Sequence, residues 1–312
     1  MKNDVMRLMR SKEKEYYHEL FERFKKDSKR SWSIIRELVR SKSTSSASDK
    51  FNINGTSTSD ENVICNAFND FFVNVGLNIS SQIPPDDTDP CTFIQGAVRN
   101  SMFLQPVDAV ELGNTILQLK NKSPGWDGIC ADPVKAACDC LVEPLLHIVN
   151  LSFIHGTFPD DLKVAQVVPL YKKGSPMELG NYRPISLLPL FSKVFEKLIH
   201  KRIMKFVEDN SILSPHQFGF QSGKNTSMAL ISAVHKIVEV LEEGHVALGV
   251  LLDFQKAFDT VQHNILVRKL NKYGIRGAPL DLITSYLSGR HQRVLYNGTL
   301  SEYKLVTCGV PQ

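Results

Sequence analysis

Asp253 closes the unbroken run Val246-Ala247-Leu248-Gly249-Val250-Leu251-Leu252. A run with no polar alternation, bounded by Gly244 and a carboxylate, predicts a strand buried on both faces. A carboxylate at the exit of such a strand is costly unless a cation or a donor meets it. Mg²⁺ is a hard ion held by one or two carboxylates together with substrate phosphates, so Asp253 is a candidate ligand at a sheet edge. The competing reading is a helix N-cap, since turn-like residues and a short helix follow. Asp259 reads as an anchor for that turn. Two other chemistries fail on spacing. Only three residues separate Gly219 and Gly223, and Asn225 stands where a phosphate-binding loop needs Ser or Thr. A phosphatase with an aspartate nucleophile would want a second acid two residues after Asp253, and that position is Gln255.

Six cysteines (Cys65, Cys91, Cys130, Cys138, Cys140 and Cys308) lie at irregular spacings without a C-x-x-C pair, which predicts reduced, packed thiols in an intracellular protein. A zinc site from Cys130, Cys138, Cys140 and His147 has the wrong spacing, and packing on a helix is the better reading. The formal net charge is +4, unevenly spread: residues 1–42 hold 13 Lys/Arg against 7 Asp/Glu, and residues 161–224 hold 10 against 5. Two basic zones in an otherwise acidic chain suit a polyanion partner, although solvated helix faces give similar counts. No stretch of about 18 apolar residues marks a membrane span, and Met1–Arg10 has no apolar core of a signal peptide.

The elements that must position these groups alternate between helix and strand. Residues 1–42 carry helical spacing (Tyr17, Leu20, Phe21, Phe24, then Trp32, Ile35, Leu38, Val39), with Ser31 as cap of the second helix. Residues 41–60, half Ser or Thr, read as a flexible linker. Asp60 caps the next helix, whose inward face is Ile64, Phe68, Phe71, Phe72 and Val75. Residues 80–106 read as loop, and Asp108 with Glu111 resembles a capping box. Asp132-Pro133 opens a helical stretch interrupted or kinked at Pro144. Strands follow at Val164–Tyr171 and Arg183–Leu187, then helices over 189–208 and 226–243. The first of these carries Lys193, Lys197, Lys201 and Lys205 at four-residue intervals, a row that reads equally as a wet face or a nucleic-acid contact. Two further helices, near 263–273 and 278–288, precede a hairpin through Asn297-Gly298.

Five segments, in order, resemble the reverse transcriptases of non-LTR retrotransposons. Leu252-Asp253-Phe254-Gln255-Lys256-Ala257-Phe258-Asp259-Thr260-Val261 is similar to their motif A. Lys122-Ser123-Pro124-Gly125-Trp126-Asp127-Gly128 resembles the segment before the fingers, and Asn181-Tyr182-Arg183-Pro184-Ile185-Ser186-Leu187-Leu188 the first fingers motif. Gln217–Thr226 resembles the next, and Gly309-Val310-Pro311-Gln312 the opening of motif B. Residues 1–80 resemble, more weakly, the stretch joining endonuclease to polymerase. Gln221 departs from the pattern, which commonly has Arg or Lys there.

The resemblance implies an α+β fold: the fingers and partial palm of a right-hand polymerase, with a helical N-terminal extension. It divides the chain into a basic helical extension (1–42), a Ser/Thr-rich linker (43–60), a connecting helix and loop (61–105), a helical pre-fingers region (106–160) and fingers with partial palm (161–312). It implies an RNA-directed DNA polymerase working through two Mg²⁺ ions, held by Asp253 and the carbonyl of Phe254. Lys172, Lys173 and Arg183 would clamp the triphosphate. Phe258 would be the steric gate against ribonucleotides, and Gln312 would lie against the incoming nucleotide. Lys193, Lys197, Lys201, Lys205, Gln221 and Lys224 would touch nucleic acid. Expected partners are an RNA template, a DNA primer or target DNA, and deoxynucleoside triphosphates, with no membrane, in the nucleus or cytoplasm. The chain ends before the family's Asp-Asp motif, so it is expected to be inactive alone. The alternative is a non-catalytic RNA- or DNA-binding fragment or a relic gene product.

Overall fold

The computed structural model describes residues 2–25, 27, 30–35, 50–84, 86, 88–94 and 98–311. The chain divides into two units, Met1–Asp49 and Lys50–Gln312. In the first, α1 spans Lys2–Arg23 and residues 30–35 are helical (α2). Asp27, rather than Ser31, caps α2 by accepting from the Arg30 amide at 3.0 Å. Ser31 sits inside the helix and donates its hydroxyl to the Phe24 carbonyl. Leu38, Val39 and residues 43–49 of the expected linker lie outside the described residues.

The second unit opens on a hairpin where the linker was expected to continue. Strands β1 (Phe51–Ile53) and β2 (Thr56–Thr58) pair antiparallel around Asn54-Gly55, both with positive φ (50° and 81°). Asn-Gly is the pair that tolerates this turn, and Phe51 gives the hairpin an apolar anchor, fully buried. Ser/Thr content alone therefore misreads residues 51–58. Helix α3 (Glu61–Ser80) follows, capped as expected by Asp60, which accepts from Asn62 and Val63. Ile64, Phe68, Phe72 and Val75 are buried along one side.

Strands β3 (Val164–Tyr171) and β4 (Tyr182–Leu187) pair antiparallel, and β5 (His291–Tyr296) lies parallel on the other side of β3. Strands β6 (Thr299–Leu300) and β7 (Lys304–Leu305) pair antiparallel with β5, the former through the expected Asn297-Gly298 turn. The hairpin and α3 cover this sheet. Phe51, Phe68, Tyr182 and Tyr296 form an aromatic cluster with ring centroids 5.0–5.9 Å apart, closed below by Val167 and Val294. Burial of each phenylalanine contributes about 2–3 kcal/mol. Asn69, fully buried, ties α3 to the sheet by accepting from Gln292 Nε2 at 3.0 Å and donating to the Glu302 carbonyl at 2.8 Å.

A second, helical core joins α4 (Ala109–Leu117), α5 (Ala131–Ala136), α6 (Cys138–His155), α7 (Leu190–Asp209) and α10 (Ala278–Leu287). Asp108 caps α4 by accepting from the Glu111 amide at 2.7 Å, but Glu111 does not complete the box. Its carboxylate holds Arg202 and Lys201 of α7 instead. The helix also runs unbroken through Pro144; the break falls at Ala137. Pro144 and Cys140 are both exposed, so water can take the carbonyl that Pro144 leaves without a donor.

The largest correction concerns the run 246–252. Residues 245–254 form neither strand nor helix, and Leu248 and Leu251 are 90% and 97% exposed. A strand exists only as one member of a hydrogen-bonded pair, and no strand among the described residues pairs with this run. Helix α8 (Thr226–Glu242), just before it, has no buried residue. Helix α9 (His263–Lys272) completes the order.

Candidate active site

Three separated segments of the second unit converge on one small cleft. Register pairs Leu170 with Arg183 and Tyr171 with Tyr182. Because Tyr182 turns into the aromatic cluster, its neighbour Arg183 turns out to solvent. Lys172 and Lys173 stand beside it at the end of β3, where the Lys172 amide donates to the Asn181 carbonyl at 2.9 Å. All three cations are exposed and make no ion pair among the described residues. The other face of β4, Pro184 and Ser186, lines the cleft of about 40 Å³ together with Asp259 and Gly309–Pro311.

The turn 256–260 is held on two sides. From below, α3 presents Gly76: a Cβ there would sit 2.3 Å from the Asp259 carbonyl oxygen, so only glycine allows this approach. From above, the Val310 amide donates to the Phe258 carbonyl (3.0 Å) and the Gly309 amide to the Val261 carbonyl (2.8 Å). His263 Nε2 lies 2.6 Å from the Gly309 carbonyl. Burial raises the pKa of Asp259, partly offset by Lys256. Lys256, at φ 49°, extends its ammonium over the Phe71 ring, 4.7 Å from the centroid. Burial pulls its pKa down; Asp259 opposes this and Lys172 adds to it. Lys256 and Gly76 carried no signal in the sequence. Phe258 is half-exposed and meets the Phe220 ring edge-on at 6.0 Å.

Arg183 projects from the face of β4 opposite the cleft, neither Lys172 nor Lys173 lines it, and other expected residues lie apart from this junction or are spent locally. Asp253 and Phe254 are exposed on the extended stretch before the turn. Lys224 donates to the carbonyls of Pro215 and Gln217, and Gln221 also donates to Gln217, so both brace their own loop. Lys201 and Lys205 are ion-paired with Glu111 and Asp209. Gln312 lies outside the described residues. All six cysteines are free, and no three Asp, Glu, His or Cys side chains among the described residues gather into a metal-holding set. Asp253 and the Phe254 carbonyl would supply one carboxylate and one neutral oxygen, a single negative charge to hold two divalent ions. These residues alone therefore do not fit a two-ion centre. No helix among the described residues is long and apolar enough to cross a membrane.

The mixed sheet and helices agree with an α+β domain of the reverse transcriptase kind, and residues 170–312 match the reverse transcriptase (RNA-dependent DNA polymerase) family. The chain carries a reverse transcriptase domain of the non-LTR retrotransposon kind. Over 218 residues it is 34% identical to a probable RNA-directed DNA polymerase from transposon X-element of Drosophila melanogaster, covering 69% of this chain and 24% of that protein. The RNA-directed DNA polymerase from mobile element jockey of the same species is 31% identical over 222 residues, 70% of this chain and 24% of its own. A Pol polyprotein from type-1 retrotransposable element R1 of Bradysia coprophila is 32% identical over 248 residues, 77% and 23%. The chain thus spans about a quarter of the length of these relatives.

Proposed function

We propose that the chain supplies the fingers and the first part of the palm of an RNA-directed DNA polymerase, acting on an RNA template and a DNA primer. The reaction joins a primer 3′-oxygen to the α-phosphorus of a deoxynucleoside triphosphate and releases pyrophosphate. Arg183, Lys172 and Lys173, exposed and without ion pairs among the described residues, clamp the triphosphate by charge and hydrogen bonding. The Phe258 ring sits beneath the sugar and excludes a 2′-hydroxyl. Asp253 and the Phe254 carbonyl are the part of a magnesium site that this stretch contributes, the remaining ligands coming from elsewhere in a polymerase as long as the relatives. The observation that carries this reading is the junction of Phe258–His263 with Gly309–Val310 beside Pro184 and Ser186.

The test is primer extension by a chain extended to the relatives' length. Asp253→Asn should abolish extension, Phe258→Ala should admit ribonucleotides, and Arg183→Ala should raise KM for every deoxynucleotide. Full extension by Asp253→Asn would remove the reading. A second reading, nucleic-acid binding without chemistry, is supported by the basic zone of residues 161–224, with 10 Lys/Arg against 5 Asp/Glu. It expects the 312-residue chain to bind a template–primer with a steep salt dependence and to add no nucleotide.

A further inference from the structure

The four lysines along α7 fall into two pairs with different surroundings. Lys201 Nζ lies 2.9 Å from Glu111 Oε1 and Lys205 Nζ 3.5 Å from Asp209 Oδ2. Lys193 and Lys197 make no ion pair among the described residues; Lys197 reaches only the Gln118 carbonyl, at 3.5 Å. These two face a depression of about 520 Å³ whose wall also carries Lys120, Lys122 and His200. Five basic groups thus share one groove with a single acid, Glu196. That carboxylate is turned away: its Oε1 accepts from Tyr286 Oη at 2.8 Å and Ser192 Oγ at 3.4 Å, and burial pushes its pKa up. Burial also pulls the Lys193 ammonium below its ordinary pKa, with Glu196 and Asp127 opposing and Lys122 adding to the fall.

Backbone geometry explains how residues so far apart in sequence meet. A Cβ on Gly125 would lie 2.6 Å from the Pro189 nitrogen and 2.7 Å from the Leu188 carbonyl carbon. Glycine at 125 therefore lets the 122–128 turn press against the start of α7, bringing Lys120 and Lys122 beside Lys193. Unpaired cations held this close repel one another, and an anion is what would relieve them.

We propose that this groove binds the sugar-phosphate backbone of nucleic acid through Lys120, Lys122, Lys193 and Lys197, and that Lys201 and Lys205 take no part. Only the identity of the anion rests on the polymerase reading. The experiment is binding of a fluorescent RNA–DNA hybrid by the full chain across a salt series, with circular dichroism to confirm folding. Lys122→Ala with Lys193→Ala should weaken binding about tenfold and lower the slope of log affinity against log salt by about 2, since each phosphate left without its cation takes roughly 0.9 from the slope. Lys122→Arg with Lys193→Arg should keep both. Lys201→Ala with Lys205→Ala should stay within about twofold of the parent. Equal losses from the two alanine pairs, an unchanged slope in the first pair, or a parent chain that does not bind the hybrid overturns the proposal. Inorganic phosphate is the separate arm: a Lys193-dependent phosphate site with unaltered hybrid affinity would make this a free-phosphate pocket, and the proposal fails. Primer extension is not read, so an inactive chain that shows the predicted losses still supports the groove.

Discussion

Helices α7 and α8 look alike in sequence and fare differently in the fold. Both are long, both carry a continuous apolar stripe, and α8 is the more apolar of the two, yet α7 buries seven residues and α8 none. Helix α7 meets α4 and the 158–163 turn; α8 and the run 246–252 behind it meet no comparable surface among the described residues. An amphipathic pattern thus states a need for a partner without supplying one. Leu230, Ile231, Val234, Ile237, Val238 and Leu241, 44–67% exposed, each leave about 1–2 kcal/mol of burial unrealised. The difference falls on the stretch leading to Asp253, the residue expected to matter most for chemistry. Arg183 is set on a packed sheet, with Lys172 and Lys173 at the end of one of its strands, whereas Asp253 is carried by an exposed, irregular segment.

The strongest test of this contrast is a pair of truncations followed by denaturant unfolding. Phe195→Ala in α7, 1% exposed, should cost about 3–5 kcal/mol. Ile231→Ala in α8, 67% exposed, should stay within about 0.5 kcal/mol. Equal costs would mean that α8 is packed in solution and would dissolve the comparison.

Next in size is Arg202→Met. Arg202 is 9% exposed and holds Glu111 Oε2 at 2.9 Å while donating to the carbonyls of Gln105 and Pro106, so its loss should cost about 3 kcal/mol by leaving those carbonyls without their donor and the partly buried carboxylate with only the exposed Lys201. The same pair sharpens the contrast through pH. Burial alone would raise the Glu111 pKa, but Arg202 and Lys201 together hold it below the usual glutamate range. Their stabilisation is full above the unfolded glutamate pKa and fades as pH falls through the lowered folded one. Urea midpoints of the parent should therefore drop in acid, and Glu111→Gln should flatten part of that drop. An unaltered acid limb in the variant would count against the pair.

Gly76→Ala comes third, at about 1–3 kcal/mol, because its methyl group would meet the Asp259 carbonyl oxygen and Cys308 Sγ. The weakest perturbation needs no mutation. Amides of 246–254 should exchange with deuterium almost freely while those of β3 and α7 are protected, and protection of Leu248 and Leu251 would show that the run has found a pairing partner.

Period and punctuation made most of the frame legible. Val164–Tyr171 matched to the residue, Asp60 and Asp108 capped as their types predict, and Asn297-Gly298 turned the hairpin. Asn54-Gly55 gave the same signal and was lost against a Ser/Thr background. The apolar run 246–252 was read correctly for composition and wrongly for burial, since burial belongs to the pair and not to the strand. At the site, the exposure of Arg183 follows from alternation next to Tyr182, whereas the roles of Arg183, Lys172 and Lys173 were legible only through the family resemblance. The hold of Gly76 on Asp259, and the meeting of Lys122 with Lys193, are long-range contacts without a local pattern to announce them. Glu111 showed how a local rule can yield, its carboxylate going to a buried guanidinium instead of a helix end.

The aromatic cluster joining Phe51 and Phe68 to Tyr182 and Tyr296 has a practical consequence. The match to the family model begins at residue 170, inside β3, whereas the cover over the sheet comes from residues 51–75. A gene trimmed to residues 170–312 would keep two of the eight residues of β3 and leave the sheet's apolar face uncapped. The natural cloning start is Lys50, where the compact unit begins, and residues ahead of the family match form one wall of that folded unit.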